Sequence, residues 1–289
     1  MPENTQNIQW FPGHMAKTRR QIKEILPIID AVAEVVDARI PVSSRNPEIG
    51  DLIVGKPHII LLNKCDMADK AVTDQWINYY KNKGITAIAL DCKTGKGINQ
   101  FKTCVKTVLH DRLEYYKSKG MVGKPLRVMV VGIPNVGKST FINRIAGRTR
   151  AKVENRPGVT RGNQWFTIDK QLELLDTPGV LWPKFEDQTV GEHLAFTGAV
   201  KDRILDTELL GIRLLEILAR DYPQKLEERY GKLDFNCDSY DLLCQIGKKR
   251  GMVIRGGETD TERAANMLLE EYRNCKIGCI SLERVTDNA

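Results

Sequence analysis

The sequence lacks the segments that mark membrane, secreted and zinc-binding proteins. No apolar run approaches the about 20 residues that span a bilayer, and the first residues, MPENTQNIQWFPGHM, have no basic start followed by an apolar core. The seven cysteines are scattered, and their closest spacing is the CxxxC of Cys275 and Cys279. Neither they nor the four histidines have zinc-ligand spacing. We therefore expect a cytoplasmic protein with reduced thiols and no membrane partner.

Acidic residues are scarce in the first part of the chain. Residues 1–185 hold 29 Lys/Arg against 17 Asp/Glu, whereas residues 186–289 hold 15 against 20. This excess of positive charge favours a polyanionic partner such as RNA, but it is also compatible with a plain cationic surface.

The apolar pattern predicts an α/β domain over residues 1–185 and a small all-helical domain over 186–289. Strand patterns are followed by helical ones up to about residue 180, which indicates a mostly parallel sheet with helices on both faces. The expected strands are 31–38, 58–63, 85–90, 126–132, 165–169 and 172–176, the last two as an antiparallel pair. The expected helices are 15–26, 98–118, one from Lys138, 205–219, 223–230, 239–247 and 261–273.

A phosphate-binding loop is the strongest motif. GIPNVGKST (132–140) has the Gly-x4-Gly-Lys-Ser pattern between a strand and a helix. Glycines let the backbone wrap phosphates, and the helix N-terminus favours anions. Lys138 is expected to reach the β- and γ-phosphates, and the Ser139 hydroxyl to bind Mg²⁺. The nucleotide contacts predicted from this loop are Asn135, Val136, Gly137, Lys138, Ser139 and Thr140.

DTPG (176–179) lies 44 residues downstream, after another strand. Asp176 is expected in the Mg²⁺ shell, and the Gly179 N–H at the γ-phosphate. Thr160, in the intervening RPGVTRGN (156–163), is expected to bind Mg²⁺ and the γ-phosphate from a switch loop. The alternative for Thr160 is an ordinary loop threonine.

NKCD (63–66) predicts the base site. The Asp66 carboxylate can accept from guanine N1–H and N2–H₂, a donor pair that adenine lacks, which disfavours an ATPase. Asn63 can bind the base edge or tie loops together, and the Lys64 stem can lie over the ring. DCKTGKGI (91–98) resembles the SAKxGxGI loop of GTPases. That resemblance places the Cys92 N–H at guanine O6 and Lys93 on the base.

The order of these motifs is reversed relative to Ras-like GTPases, because the base loops precede the phosphate loop. Together with WFPGHMAK (10–17), DARIP (37–41), PGVT and LAFTGAVKD (194–202), this order resembles the YlqF family of bacterial ribosome biogenesis GTPases, which are circularly permuted. The resemblance covers nearly the whole chain. It implies a GTPase that binds the large ribosomal subunit precursor and promotes its late assembly, with GTP and GDP as its nucleotides. We also expect a monomer.

Two catalytic roles follow from this resemblance. Val180 stands where Ras-like proteins place a water-orienting glutamine, and it cannot hydrogen-bond. In the family the histidine of the N-terminal motif is the proposed substitute, which corresponds to His14; a structural role for His14 is the alternative. Phosphate-loop asparagines of related GTPases help bind K⁺, which makes Asn135 a K⁺ candidate. A plain polar loop residue is the alternative there.

Three basic clusters are the expected RNA contacts, because Lys and Arg neutralise phosphates without reading sequence. They are Lys17, Arg19, Arg20 and Lys23; Arg144, Arg148, Arg150, Lys152, Arg156 and Arg161; and Lys248, Lys249, Arg250 and Arg255. Two functions other than an assembly GTPase remain open. One is a GTP-controlled RNA-binding module in which hydrolysis is incidental, and the other is a tRNA-related GTPase that does not act on the ribosome.

Overall fold

The structure is a computed structural model that describes residues 12–147, 164–179, 187–200 and 206–285, with side chains from residue 19 onward. These residues divide into two units. One contains the described residues between 12 and 179 together with 283–285, and the other contains those between 187 and 282. His14, Thr160, Val180 and the basic residues 148–161 lie outside the described backbone or side chains.

The first unit is built on a six-stranded sheet with the order β3-β2-β1-β4-β6-β5. The strands are β1 (Ala31–Asp37), β2 (His58–Asn63), β3 (Thr86–Ala89), β4 (Leu126–Val131), β5 (Gln164–Asp169) and β6 (Leu172–Asp176). All described pairings are parallel except β5 with β6. All seven residues of β1 are buried, so both faces of the sheet are covered at its centre. The predicted mixed α/β fold is confirmed.

In the described part of this unit, six α-helices accompany the sheet: α1 (Pro12–Ile25), α2 (Pro47–Leu52), α3 (Lys70–Asn82), α4 (Ile98–Val108), α5 (His110–Ser118) and α6 (Lys138–Ala146). The helix expected over 98–118 is two helices, because the chain leaves helical geometry at Leu109. One apolar cluster joins α1 and α2 to β1 and β4, and a second joins α3 to β1 and β2. Phe101 of α4 and Phe141 of α6 pack edge to face, 5.0 Å between centroids.

The chain returns to this unit at its end. The Glu283 carboxylate accepts hydrogen bonds from the N–H groups of Val42 (2.6 Å) and Ser43 (3.0 Å), and the indole N–H of Trp76 donates to the Glu283 carbonyl (3.1 Å). Val285 packs on the α3 cluster. Residues 283–285 therefore pack with the sheet unit although they follow the helical unit in the chain.

The regular elements in the described residues of the second unit are helices, and an isolated antiparallel bridge pairs Val253 with Thr259. The helices are α7 (Gln188–Phe196), α8 (Thr207–Asp221), α9 (Pro223–Tyr230), α10 (Ser239–Lys249) and α11 (Thr261–Arg273). Side-chain carboxylates of Asp187, Asp206, Asp238 and Asp260 cap the first turns of α7, α8, α10 and α11. One core of leucine, isoleucine and tyrosine side chains joins the five helices. No helix in the described parts of either unit has the length and apolar character needed to cross a membrane.

Candidate nucleotide-binding site

The loop between β4 and α6 has the backbone that a phosphate cradle requires. Gly132 and Gly137 have φ values of 148° and 101°, and a Cβ on Gly132 would lie 2.5 Å from the Val35 carbonyl oxygen. Asn135 also has a positive φ, 63°. Helix α6 begins at Lys138 without a side-chain cap, so its first N–H groups are free to bind an anion.

Lys138 and Asp176 form a buried charged pair beside this loop. The Lys138 ammonium donates to the Ile133 carbonyl (2.9 Å), and burial lowers the pKa of Lys138 to about 8 despite the opposing charge of Asp176. Burial raises the pKa of Asp176 to about 6, although Lys138 and the Thr177 N–H act in the opposite direction. Oδ1 of Asp176 is buried and has no hydrogen-bond partner among the described residues.

Asp176 Oδ1, which has no hydrogen-bond partner among the described residues, allows us to ask whether the residues here fit a magnesium ion. Magnesium prefers hard oxygen ligands and is commonly bound by one or two carboxylates together with substrate phosphates. Asp176 supplies such an oxygen, and the half-buried Ser139 lies in the first turn of α6. These two residues fit Mg²⁺. Thr160, the third predicted ligand, lies outside the described residues.

The DTPG loop lies against the phosphate loop. A Cβ on Gly179 would be 2.7 Å from Lys138 Nζ and 3.0 Å from the Pro134 nitrogen. The Thr177 hydroxyl donates to the Val130 carbonyl (2.8 Å), which anchors the start of this loop to β4. A larger side chain at Gly179 would therefore collide with the group predicted to bind the phosphates.

Asn63 joins the base loop to the phosphate loop. Its amide N–H donates to the Val136 carbonyl (2.7 Å), and its Oδ1 accepts from the Cys92 N–H (3.3 Å). A Cβ on Gly137 would lie 2.3 Å from Asn63 Nδ2, so only glycine permits this approach. Of the two roles predicted for Asn63, the geometry favours tying loops together. The Cys92 N–H, predicted to read guanine O6, is directed at Asn63 instead.

Lys64 belongs to an ion network that the motifs did not predict. Its ammonium lies 2.9 Å from Asp37 Oδ2, and the buried Arg39 binds the same carboxylate through two N–H groups (2.9 and 2.8 Å). Burial favours the neutral acid, but the charges of Arg39 and Lys64 hold the pKa of Asp37 well below its usual range. Burial lowers the pKa of Lys64 despite the charge of Asp37. DARIP thus fixes the first turn of the base loop.

The second base loop is held by Asp91 and Arg144, which the sequence analysis did not assign to the site. The Asp91 carboxylate accepts from the N–H groups of Lys93 (2.8 Å) and Thr94 (3.2 Å), and Arg144 donates to the Lys93 carbonyl. Arg144, expected at RNA, therefore also connects α6 to this loop. Asp91 follows a strand directly, and that position was the signal that could have identified it.

The remaining predicted residues lie on these same loops. Asp66 is exposed, and Thr140 is half-buried in the first turn of α6. Loops from both halves of the permuted sequence therefore meet in one place, with acceptors on the base side and an ammonium, a carboxylate and an uncapped helix on the phosphate side. This arrangement suits a purine nucleoside phosphate bound with a divalent cation.

Known proteins with a similar sequence or structure agree with this arrangement. Residues 127–227 match the family described as "50S ribosome-binding GTPase". The chain is 51% identical over 278 residues to "Ribosome biogenesis GTPase A" of Priestia megaterium, covering 96% of each chain. It resembles GNP-bound YlqF from T. maritima, with a TM-score of 0.60 and 30% identity over 93% of this chain and 98% of the other. A GDP-bound structure of TM YlqF gives a TM-score of 0.65 and 28% identity, with coverage of 92% and 99%.

Asn63 joins the base loop to the phosphate loop in the permuted order, and the relatives match nearly the whole chain at high identity. The chain therefore belongs to the ribosome biogenesis GTPase A family.

Proposed function

We propose that this protein binds GTP and GDP, hydrolyses GTP and acts in assembly of the large ribosomal subunit. The observation that carries the proposal is the Asn63 bridge between the base loop and the phosphate loop, beside the buried Lys138 and Asp176. The relatives support a role in ribosome assembly, because they are named for ribosome biogenesis. We further propose that it acts in the cytoplasm and as a monomer.

The phosphate side accounts for catalysis by charge and position. Lys138, the backbone N–H groups of residues 135–140 and the α6 N-terminus would hold the β- and γ-phosphates and stabilise charge that develops on them during transfer to water. Gly179, against Lys138 Nζ, would contact the γ-phosphate and respond to its loss. Magnesium held by Ser139, Thr160 and Asp176 would neutralise phosphate charge.

The attacking water must be oriented by a residue other than the one that follows DTPG, where Ras-like GTPases have a glutamine. Val180 cannot hydrogen-bond, so we propose that His14 orients the water. A K⁺ ion at Asn135 would add positive charge beside the phosphates. GTP turnover should then be faster in KCl than in NaCl, and equal rates in the two salts would remove K⁺ from the account.

The base side accounts for guanine selection. Asp66 is exposed at the end of the loop that Asn63 and Lys64 fix, and its carboxylate would accept from guanine N1–H and N2–H₂. The backbone N–H of Cys92 would read O6, exchanging its bond to Asn63 for one to the base. Lys93, exposed on the second base loop, would pack on the ring.

The helical unit, part of the predicted 186–289 domain, would bind rRNA through the last turn of α10 and the loop that follows it. Its four basic residues are not equivalent. The Lys249 ammonium donates to the Lys232 carbonyl (2.6 Å), and Arg250 lies 5.1 Å from the Tyr230 ring centroid and donates to the Arg229 carbonyl (3.3 Å). All four residues are exposed, but Lys249 and Arg250 make these contacts, so we assign structural roles to them and the phosphate contacts to Lys248 and Arg255.

The test is GTP hydrolysis with and without purified large ribosomal subunits. We expect the subunits to stimulate the natural protein by about 100-fold or more, the scale of a positioned general base. His14→Ala should lose the stimulation and still bind GTP. Lys248→Glu with Arg255→Glu should retain basal turnover, weaken binding to subunits and reduce its salt dependence.

Three outcomes would contradict parts of this proposal. Binding to subunits without stimulation would favour a GTP-controlled binding module. Failure to co-sediment with subunits in any nucleotide state would favour a GTPase acting elsewhere. Unchanged subunit binding by the Lys248→Glu, Arg255→Glu protein across a salt titration would remove these two residues from the RNA contact.

A further inference from the structure

The turn after α11 brings two cysteines of the helical unit together. Cys275 and Cys279 are four residues apart, and their sulfur atoms lie 3.8 Å from each other. The backbone is folded tightly here: Cys275 has a φ of 57° and Gly278 a φ of 116°, and the Gly278 N–H donates to the Cys275 carbonyl (3.3 Å). A disulfide requires the sulfurs to approach to about 2.05 Å, which is a short movement from this starting arrangement.

The two thiols differ in access. Cys279 is exposed and Cys275 is half-buried, so a small molecule in solvent meets Cys279 first. The Lys225 ammonium donates to the Cys279 carbonyl, and a Cβ on Gly278 would lie 3.7 Å from Lys225 Nζ. Lys225 therefore holds the backbone of this turn in place, and the Cys279 side chain remains accessible to solvent.

Cysteines in the sheet unit are less suited to reaction. Burial raises the pKa of Cys92 to about 12 and that of Cys104 to about 11, and it also raises the pKa of Cys65. These thiols stay protonated at neutral pH, and Cys92 is also buried. Thiol reactivity should therefore concentrate at the turn after α11.

We propose that Cys275 and Cys279 form a dithiol modification site, which low-molecular-weight disulfides oxidise to an intramolecular disulfide. The Cys279 thiolate attacks one sulfur of the reagent, forms a mixed disulfide and releases one reagent thiolate. The Cys275 thiolate then attacks Cys279 Sγ and releases the second reagent thiolate. The protein loses two electrons and two protons, and the reagent is reduced to two thiols.

The sequence offers a direct readout of this disulfide. Trypsin cleaves after Arg273, Lys276 and Arg284, so Cys275 and Cys279 fall on separate peptides, residues 274–276 and 277–284. The folded, reduced protein is incubated with oxidised glutathione, remaining thiols are alkylated, and the digest is analysed by mass spectrometry without reduction. We expect the linked peptide pair as the main product at these positions, with Cys92 and Cys104 alkylated.

Single-site variants assign the order of attack. Cys275→Ser should accumulate a glutathione adduct on Cys279, because the resolving thiol is absent. Cys279→Ser should lose the linked pair and react at Cys275 about tenfold more slowly, in line with its lower exposure. Cys237→Ser should leave the result unchanged. GDP binding by each variant confirms that the protein is folded.

The proposal fails if the natural protein carries separate glutathione adducts on Cys275 and Cys279, or unmodified thiols, and no linked pair. It also fails if Cys92 is oxidised as readily as Cys279 in the folded protein, because the selectivity is attributed to the exposure of Cys279 and the burial of Cys92. Faster reaction at Cys275 than at Cys279 would contradict the assigned order.

Discussion

At the scale of single residues, Lys138 and Asp176 place two charges in a buried site, and the Asp176 carboxylate keeps one oxygen unpaired in the described part of the chain. Buried charges without full pairing cost free energy, so such sites persist where a ligand completes them. An ammonium suits phosphate oxygens and a carboxylate suits Mg²⁺. We therefore propose that the two residues whose burial costs free energy in the free protein are those that hold the nucleotide and its cation.

The first prediction tests whether Asp176 binds the Mg²⁺ ion that accompanies the nucleotide. Asp176→Asn keeps the size of the side chain but removes its charge. Chelating Mg²⁺ should weaken GTP binding by the natural protein by about 10- to 100-fold, and the variant should bind equally weakly with or without Mg²⁺. Fluorescent GTP titration measures both values. Asp74→Asn, at an exposed carboxylate of α3, is the control and should retain full Mg²⁺ dependence. Full Mg²⁺ dependence in Asp176→Asn as well would contradict the assignment of Asp176 to Mg²⁺.

The second prediction concerns pH and the nucleotide-free protein. Burial raises the pKa of Asp176 from 3.8 to about 6, so the folded state holds this proton more tightly than the unfolded state. The contribution of Asp176 to stability should therefore fall as pH rises from about 4 to 6 and level off above. Comparing urea unfolding at pH 5 and pH 7 with that of Asp176→Asn isolates this effect. The variant should lose less stability than the natural protein between pH 5 and pH 7. An identical loss in both proteins would contradict the raised pKa of the buried Asp176 carboxylate.

The site residues were predictable where a short motif states the chemistry. GIPNVGKST, DTPG and NKCD each follow a strand, and the carboxyl ends of parallel strands share one edge of a sheet. The supporting residues Asp37, Arg39, Asp91 and Arg144 were not assigned, because their partners lie far along the chain or depend on side-chain direction. Arg144 was expected at RNA from its charge alone.

At the scale of elements, the base loop depends on a network contributed by the end of β1. Lys64→Met removes the ammonium that binds Asp37 but keeps the stem that can lie over a base. We expect affinity for GTP and GDP to fall together by about tenfold, with hydrolysis of bound GTP unchanged, because the loss acts on ground state and transition state alike. Lys96→Met, an exposed site in the second base loop, is the control. Reduced hydrolysis of bound GTP would contradict a role limited to the base.

Helix contacts in the second unit give a prediction on stability. Gly211 of α8 lies against α11, and a Cβ there would be 2.5 Å from the Ala265 Cβ and 2.9 Å from its Cα. Gly211→Ala should destabilise the protein by about 1–3 kcal/mol, the usual cost of overpacking, and leave GDP affinity unchanged. Gly50→Ala in α2, where a Cβ would have open space, is the matched control and should not destabilise. Equal thermal unfolding of all three proteins would contradict the close crossing.

Strand and helix positions followed the apolar pattern where that pattern was strong. β2, β6, α9 and α11 have the predicted bounds. Helix α3 was missed although Asp69 caps it and Val72, Trp76 and Tyr80 recur at helical spacing. The short helix α2 and the glycine-containing α7 have weak periodic signals, so the sequence alone gives little basis for them.

At the scale of the whole molecule, the permutation divides the sheet into two halves that are each continuous in the chain. The half β1–β3 carries the base loops and the half β4–β6 carries the phosphate and DTPG loops, and they join where β1 pairs with β4. Strand order reverses direction at this pair, and ligands of open α/β sheets bind beside such points. The sequence predicts both halves and leaves two roles open for Asn63, and the choice between them depends on the assembled sheet, where its amide reaches the Val136 carbonyl.

The most direct test of this account is base selection by the joined loops, measured by competition between GDP, ADP and xanthosine diphosphate. The natural protein should prefer GDP to ADP by at least about 100-fold. Asp66→Asn should lose GDP and gain xanthosine diphosphate, because an amide N–H complements the carbonyl that xanthine carries in place of the guanine amino group. Equal binding of ADP and GDP by the natural protein, or unchanged GDP preference in Asp66→Asn, would contradict the account.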